Sequence, residues 1–187
     1  VCSFSFLPAV LAPEISKLYT QDKKEDILEL INISIIISIC FGTTLTLLLG
    51  NYSQYLINFF ISDKGNIRLY ALEYLNHRIM AFPFIFLNSV IFSILRGMFD
   101  FKSAIKINIQ SQLINLIIDP ILMKKYGLKG VAIGSNIADV YCSLNYVNLF
   151  RKKKLISCKL NNFLRWSKKL FVKGFFVQVK NICNNLM

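Results

Sequence analysis

Asn115 and Asp119 stand four residues apart in the stretch NLIIDPIL, and Pro120 follows directly. On a helix that spacing puts an amide and a carboxylate on one face, about one turn apart. Proline has no N–H to offer the carbonyl of Leu116, so a third oxygen is freed beside them. Oxygen donors of this kind suit a hard cation such as Na+, by analogy with Ca2+ and Mg2+ sites, and an acid can exchange that cation for a proton. A charged Asp at the centre of a bilayer costs about 2.5 to 3.5 kcal/mol on insertion scales, so such residues usually line a cavity or bind something. A capping or salt-bridged Asp needs no such role, and Lys124 lies only about 7 to 8 Å farther along the helix axis. Asp139 is a second acid of the same kind, with Asn136 and Ser135 three and four residues before it on one helical face. Two apolar segments that each carry an acid with an amide or hydroxyl favour a polar cavity over two isolated caps.

The elements that must hold these groups are long and apolar. No charged residue occurs from Leu30 to Ser62, a run longer than the roughly 20 residues that cross a hydrocarbon core. Four apolar segments follow from the pattern, at 27–50, 72–95, 104–123 and 128–150. Each is continuous rather than alternating, which selects helix over barrel strand. Gly42, Thr43, Thr44, Ser89, Ser111, Gly134 and Ser135 lie within them and suit close helix contacts. The connections are short, as between neighbouring helices of a bundle.

Composition agrees: of the 187 residues 55% are hydrophobic and 17% charged, with 22 Lys and Arg against 10 Asp and Glu. An ordinary soluble domain carries about 25% charged residues, so the chain reads as an all-α, multi-pass integral membrane protein, with no indication of which membrane. The basic excess is concentrated in residues 151–169, which hold eight Lys or Arg and no acid. The positive-inside rule makes that segment cytoplasmic. The loop with Arg96, Lys102 and Lys106 then falls on the same side. Phe163 and Trp166 interleave with the bases, an arrangement that also suits RNA or anionic lipid, but a basic loop after a span needs no nucleic acid. The lipid bilayer is the expected partner.

Five scattered cysteines give neither a zinc spacing nor a disulfide framework. The single histidine, His77, excludes a multi-histidine metal box. With no nucleophile motif and no Gly-rich phosphate loop, no enzyme and no cofactor is expected. Val1 is not an initiator Met and an apolar piece, FSFLPAVLAP, is already under way, so the chain reads as cut at its start.

Arg78 with Pro83, then Leu95, Arg96, Gly97, Asp100 and Lys102, then Asn115, Asp119 and Pro120, then Gly127, Gly130 and Ala132 form an ordered set. It resembles the multidrug and toxic compound extrusion (MATE) transporters, whose pattern runs L-R-G-x-x-D-x-K, N-x-x-x-D-P and G-x-x-G-x-A. The resemblance spans about residues 4–150 and is similar to the DinF and plant-like branch. It implies a fragment of a six-helix lobe of a twelve-helix fold. On that frame 1–150 runs from the end of helix two through helix six, 151–169 is the basic inter-lobe loop, and 170–187 starts helix seven.

The implied activity is secondary antiport, with organic solute leaving as H+ or Na+ enters. Asn115 and Asp119 match the family's cation site. Ser135 stands where a Thr is usual, and Asp139, a departure from the pattern, supplements the set. The helix-one acid of the family precedes Val1. Arg78, Pro83, Arg96, Gly97, Asp100 and Pro120 are assigned to packing and gating. The alternative is a non-transporting membrane subunit anchored by four helices and a basic loop.

Overall fold

The computed structural model describes residues 6–60, 66–155 and 163–186. Every regular element among them is a helix: α1 Phe6–Thr20, α2 Lys24–Phe60, α3 Asn66–Ile79, α4 Phe82–Gly97, α5 Phe101–Tyr126, α6 Leu128–Lys152 and α7 Phe163–Leu186. Sections of these helices group into two compact units. The first comprises Val1–Ser38, Ser89–Ile105 and Tyr146–Met187, the second Ile39–Asn88 and Lys106–Asn145.

The first unit has a close-packed apolar core, with Glu14, Glu29 and Asn32 buried beside it. Leu11, Ile15, Leu30, Ile31, Ile91, Ile94, Leu95, Tyr146, Phe150 and Leu170 are all buried, fully or nearly so. α7 joins it against α1 through Trp166, Leu170 and Gly174, spaced at i, i+4 and i+8 on one face. Three helices in this unit end in the same device. Asp22, Phe99 and Lys154 take left-handed backbone angles just past α1, α4 and α6. In each case the next residue's N–H returns five positions, as from Asp100 to the carbonyl of Leu95 at 2.9 Å. Such Schellman ends usually take Gly.

The outer surface of the second unit is greasy, with Leu47, Tyr55, Phe59, Leu116 and Ile117 all more than half exposed, as a wall facing acyl chains requires, while Arg78, Asn88, Ser111 and Asn136 turn toward other helices.

Among the described residues α2 is long and apolar enough to cross a membrane, and α3 with α4 passes the same test as a pair bent by 55°. α5 and α6, at 26 and 25 residues, have the length, about 1.5 Å per residue, but interrupt it with polar groups. The sequence drew 72–95 as one span; here it is broken at Met80 and Ala81. Pro83 is the cause. Its missing N–H leaves the carbonyl of Ile79 without a helical donor, and proline is well tolerated only in a helix's first turn, where α4 now begins.

Candidate functional site

The site is assembled in the second unit from α3, α4, α5 and α6. On α5, Asn115 and Asp119 meet as their spacing requires. With its amide nitrogen turned toward the acid, Asn115 Nδ2 donates to Asp119 Oδ1 at 2.8 Å and Oδ2 at 3.0 Å. Pro120 lies inside the helix directly after. Across from it, the Asp119 carboxylate rests on Gly134 of α6, so closely that a Cβ there would overlap Oδ1. Only glycine permits that approach. Ser135 is the next residue, half-buried, and among the described residues its hydroxyl makes no hydrogen bond to Asn115 or Asp119. No Lys or Arg among them forms an ion pair with Asp119 within 4 Å.

One helical level away the chemistry differs. Arg78, in the last turn of α3, donates through Nη1 to Asp139 Oδ2 at 2.7 Å and to Asn136 Oδ1 at 2.9 Å. The Arg78 and Asp139 side chains are 26% and 22% exposed, so this pair is largely withdrawn from solvent. Asn136 completes a bridge by donating Nδ2 to the carbonyl of His77 at 2.7 Å. That carbonyl lies in the turn that ends at the helix break.

The carbonyl freed by Pro83 has its own partner. Thr46 Oγ1 of α2 lies 3.1 Å from Ile79 O and 3.0 Å from Gly42 O. A Cβ on Gly42 would stand 2.6 Å from Pro83 Cα. Both carbonyls at the break are thus satisfied by neighbouring helices, the condition on which broken helices persist in a membrane.

Further polar contacts set the register of α6. Asn88 Nδ2 donates to the backbone carbonyl of Asp139 at 2.9 Å, and Ser143 Oγ lies 2.7 Å from Asn88 Oδ1. Ser111 of α5 donates to the carbonyl of Ala138 at 2.7 Å.

The assigned packing residues Arg96, Gly97 and Asp100 belong to the first unit. Gly97 brings α4 against α1, where an added Cβ would stand 2.7 Å from the carbonyl oxygen of Ala12. Asp100 caps α5 by accepting from the N–H of Ser103 at 3.3 Å and pairs with Lys153. Burial alone would raise its carboxyl, but the Lys153 and Ser103 hydrogen bonds prevail and hold it below the usual carboxylate range. Arg96 is exposed.

Of the residues expected to couple cations, the structure joins Asn115 to Asp119, sets Ser135 beside their seat, and gives Asp139 to Arg78. Asn88 and Thr46 are additions that the sequence did not single out, while Asn136, expected on the face of Asp139, and Gly134, expected at a close helix contact, gain specific partners. Among the described residues no three of His, Cys, Asp and Glu gather as metal ligands. A cation at Asp119 would draw its other oxygens from amides, hydroxyls or the backbone.

The chain matches a family model, MatE, over residues 4–121. No curated protein matches it in sequence. Solved structures do. A transporter of the MOP superfamily from Pyrococcus furiosus, described with a binding pocket of reverse polarity, aligns at TM-score 0.85 and 23% identity over 95% of this chain and 41% of its own. A MATE structure in a bent conformation aligns at 0.86 and 22% over the same shares. An outward-facing multidrug resistance MATE transporter of the MOP superfamily aligns at 0.82 and 21%, over 96% of this chain and 41% of its own. The chain therefore spans about two fifths of the length of these structures.

Proposed function

The chain belongs to the MatE family, and from that premise we propose that it forms part of a secondary antiporter that exports an organic solute in exchange for H+ or Na+. In this reading the described helices belong to the N-terminal lobe, with α7 leading toward helix seven. Asp119 is the coupling carboxylate, Asn115 its fixed amide neighbour, and Ser135, the residue after the Gly134 seat, the hydroxyl ligand. The two lobes of the whole protein rock about a central cavity, as in other repeat-built carriers.

The observation that carries this reading is the state of Asp119. It is a half-buried acid on α5, held by an amide and seated on a glycine, with no lysine or arginine among the described residues in ion-pair contact with it. Leaving such a group charged and alone is costly in a membrane. An incoming H+ or Na+ removes that cost, and its release restores it. Binding and release can therefore bias which way the cavity opens, since a ligand shifts an equilibrium by its differential affinity for the two states.

The test is made in the complete protein, reconstituted in liposomes under an imposed Na+ or pH gradient, with a fluorescent organic cation as the exported probe. Asp119→Asn keeps the shape and removes the exchangeable charge. Gradient-driven efflux is expected to fall to the level of empty vesicles, and efflux that still follows the gradient at half its normal rate would refute the assignment.

A further inference from the structure

We propose that the cleft framed by the ends of α1, α4 and α6 binds an anionic phospholipid of the cytoplasmic leaflet, its phosphate on lysines at the rim and its acyl chains on an apolar floor. The proposal does not depend on how Asp119 couples transport.

The cleft lies wholly in the first unit and measures about 540 Å3, within the roughly 300 to 1,000 Å3 of small-molecule sites. Three left-handed helix ends surround it. Asp22 follows α1, Met98 precedes the turn at Phe99, and Lys154 with Leu155 follows α6, and all four line the cleft. Each turn stops its helix, so no further helical turn fills the space between the three ends.

The lining divides by chemistry. Ile27 and Leu155 are buried, Leu28 and Met98 half-buried, and together they make the floor. Lys24, Lys153 and Lys154 stand exposed at the rim against one acid, Asp22. Lys153 is held by Asp100. Lys24 and Asp22 are 3.6 Å apart with both side chains over 80% exposed, a pair that binds neither group firmly. Lys154 makes no ion pair among the described residues. Two ammonium groups are therefore open to an anion, and only an anion with an apolar body also covers the floor.

The level of the cleft fits a headgroup. The basic segment 151–169 begins at its rim, and the positive-inside rule assigns that end to the cytoplasm. Tyr19 of the lining packs on Phe99 with ring centroids 6.1 Å apart, both about half exposed, as aromatic residues at a membrane interface are. Cytoplasmic leaflets carry anionic lipids, and basic pockets between spans on that side take their headgroups. A lipid seated here ties the α1–α2 turn to the ends of α4 and α6.

The experiment follows thermal unfolding of the complete protein in detergent at physiological salt, because a ligand of the folded state raises the unfolding temperature as its site fills. Dihexanoylphosphatidylglycerol is the probe. Glycerol phosphate supplies the phosphate without chains, and dihexanoylphosphatidylcholine the chains and phosphate without net charge. Only the phosphatidylglycerol is expected to give a saturable rise. Lys24→Gln with Lys154→Asn is expected to raise its apparent Kd by about tenfold or more, since each basic residue near an anionic lipid surface contributes about fivefold. Asn is chosen at 154 because it accepts a left-handed backbone. Arg165→Gln with Lys168→Gln removes equal charge from exposed positions on α7. That variant should leave Kd within about twofold, because salt screens charges outside the cleft.

An unchanged Kd in the first double variant, or equal losses in both, means diffuse attraction to a basic surface and overturns the site. Protection by glycerol phosphate replaces the lipid with a free phosphate ligand, and equal protection by phosphatidylcholine removes the role of the lysines. Either result overturns the proposal. No protection by any of the three means that another segment of the complete protein fills the cleft, and the proposal falls.

Discussion

The two units pair their acids in partly different ways. In the first unit Glu14 meets Lys169 at 2.7 Å and also Lys173, and Asp100 meets Lys153. These are lysine pairs in which a lysine of α7, or one at the end of α6, ties onto another helix. In the second unit Glu73 also meets a lysine, Lys129, and Asp139 is committed to arginine, while Asp119 is left with an amide. A lysine pair closes a structure; an acid without a cation invites one. The contrast teaches that carboxylate count says little about function in such a chain. What matters is which acid the fold declines to neutralise.

Glycines offer the sharpest way to break that contrast, because each unit has at least one at a close approach. In the second unit, Gly134→Ala would place a methyl group where the Asp119 carboxylate now lies. The carboxylate must move, and a displacement of about 1 Å at a reacting group is enough for losses on the order of a hundredfold. Coupled efflux in liposomes should fall by a comparable factor with the melting temperature little changed, because the obstacle is the end of a side chain rather than backbone. A variant with normal coupling would show that the seat on Gly134 is incidental.

Much of this arrangement could be read from the sequence, for definite reasons. The helices follow from apolar runs too long for strands, and the meeting of Asn115 with Asp119 follows from a spacing of four residues, a local property of any helix. The break at Met80 and Ala81 was not legible, because hydropathy runs through it without interruption and Pro83 is equally at home in a first turn or in a motif. Ser135 drew attention because hydroxyls are recognisable ligands. Gly134 was legible only as a place where helices could approach, since which group fills the space shows only in the tertiary structure. Likewise Arg78 and Asp139 lie 61 positions apart, and no periodicity links residues across that separation. The sequence therefore grouped Asp139 with Asp119 as an acid in a span, and only the tertiary structure pairs Asp139 with Arg78.

Gly97→Ala is the counterpart in the first unit and should separate fold from function in the other direction. Here the added methyl meets the backbone oxygen of Ala12 at 2.7 Å and Ile15 Cβ at 2.9 Å. Neither can rotate away, so α1 and α4 must part. Overpacking of this kind typically costs about 1 to 3 kcal/mol. Thermal unfolding in detergent should come at a lower temperature, while the half-saturating concentration of the driving ion in the folded fraction stays within a factor of two. A large change in that concentration would mean that the first unit's packing reaches Asp119, and the division of labour drawn above would fail.

The smallest effect is expected at Asp100, where the charge does no more than help to hold a helix end. Asn at this position caps a helix about as well as Asp, so Asp100→Asn retains the bond to the Ser103 N–H and removes only the pairing with Lys153. Exposed pairs of this kind contribute about 0.2 to 1 kcal/mol. The sign with pH follows from the carboxyl being held below its ordinary range by Lys153 and Ser103. A depressed value in the folded state means that the acid stabilises the fold in full above its unfolded value, about pH 4. That contribution fades as the pH falls through the lower, folded value. The stability advantage of wild type over Asp100→Asn should therefore be flat through neutral pH, vanish in acid, and shrink with added salt, which screens an exposed pair. Thermal unfolding at several pH values and two salt concentrations measures it. An advantage that grew in acid would place Asp100 among the acids the fold leaves unpaired, beside Asp119, and not among those it closes.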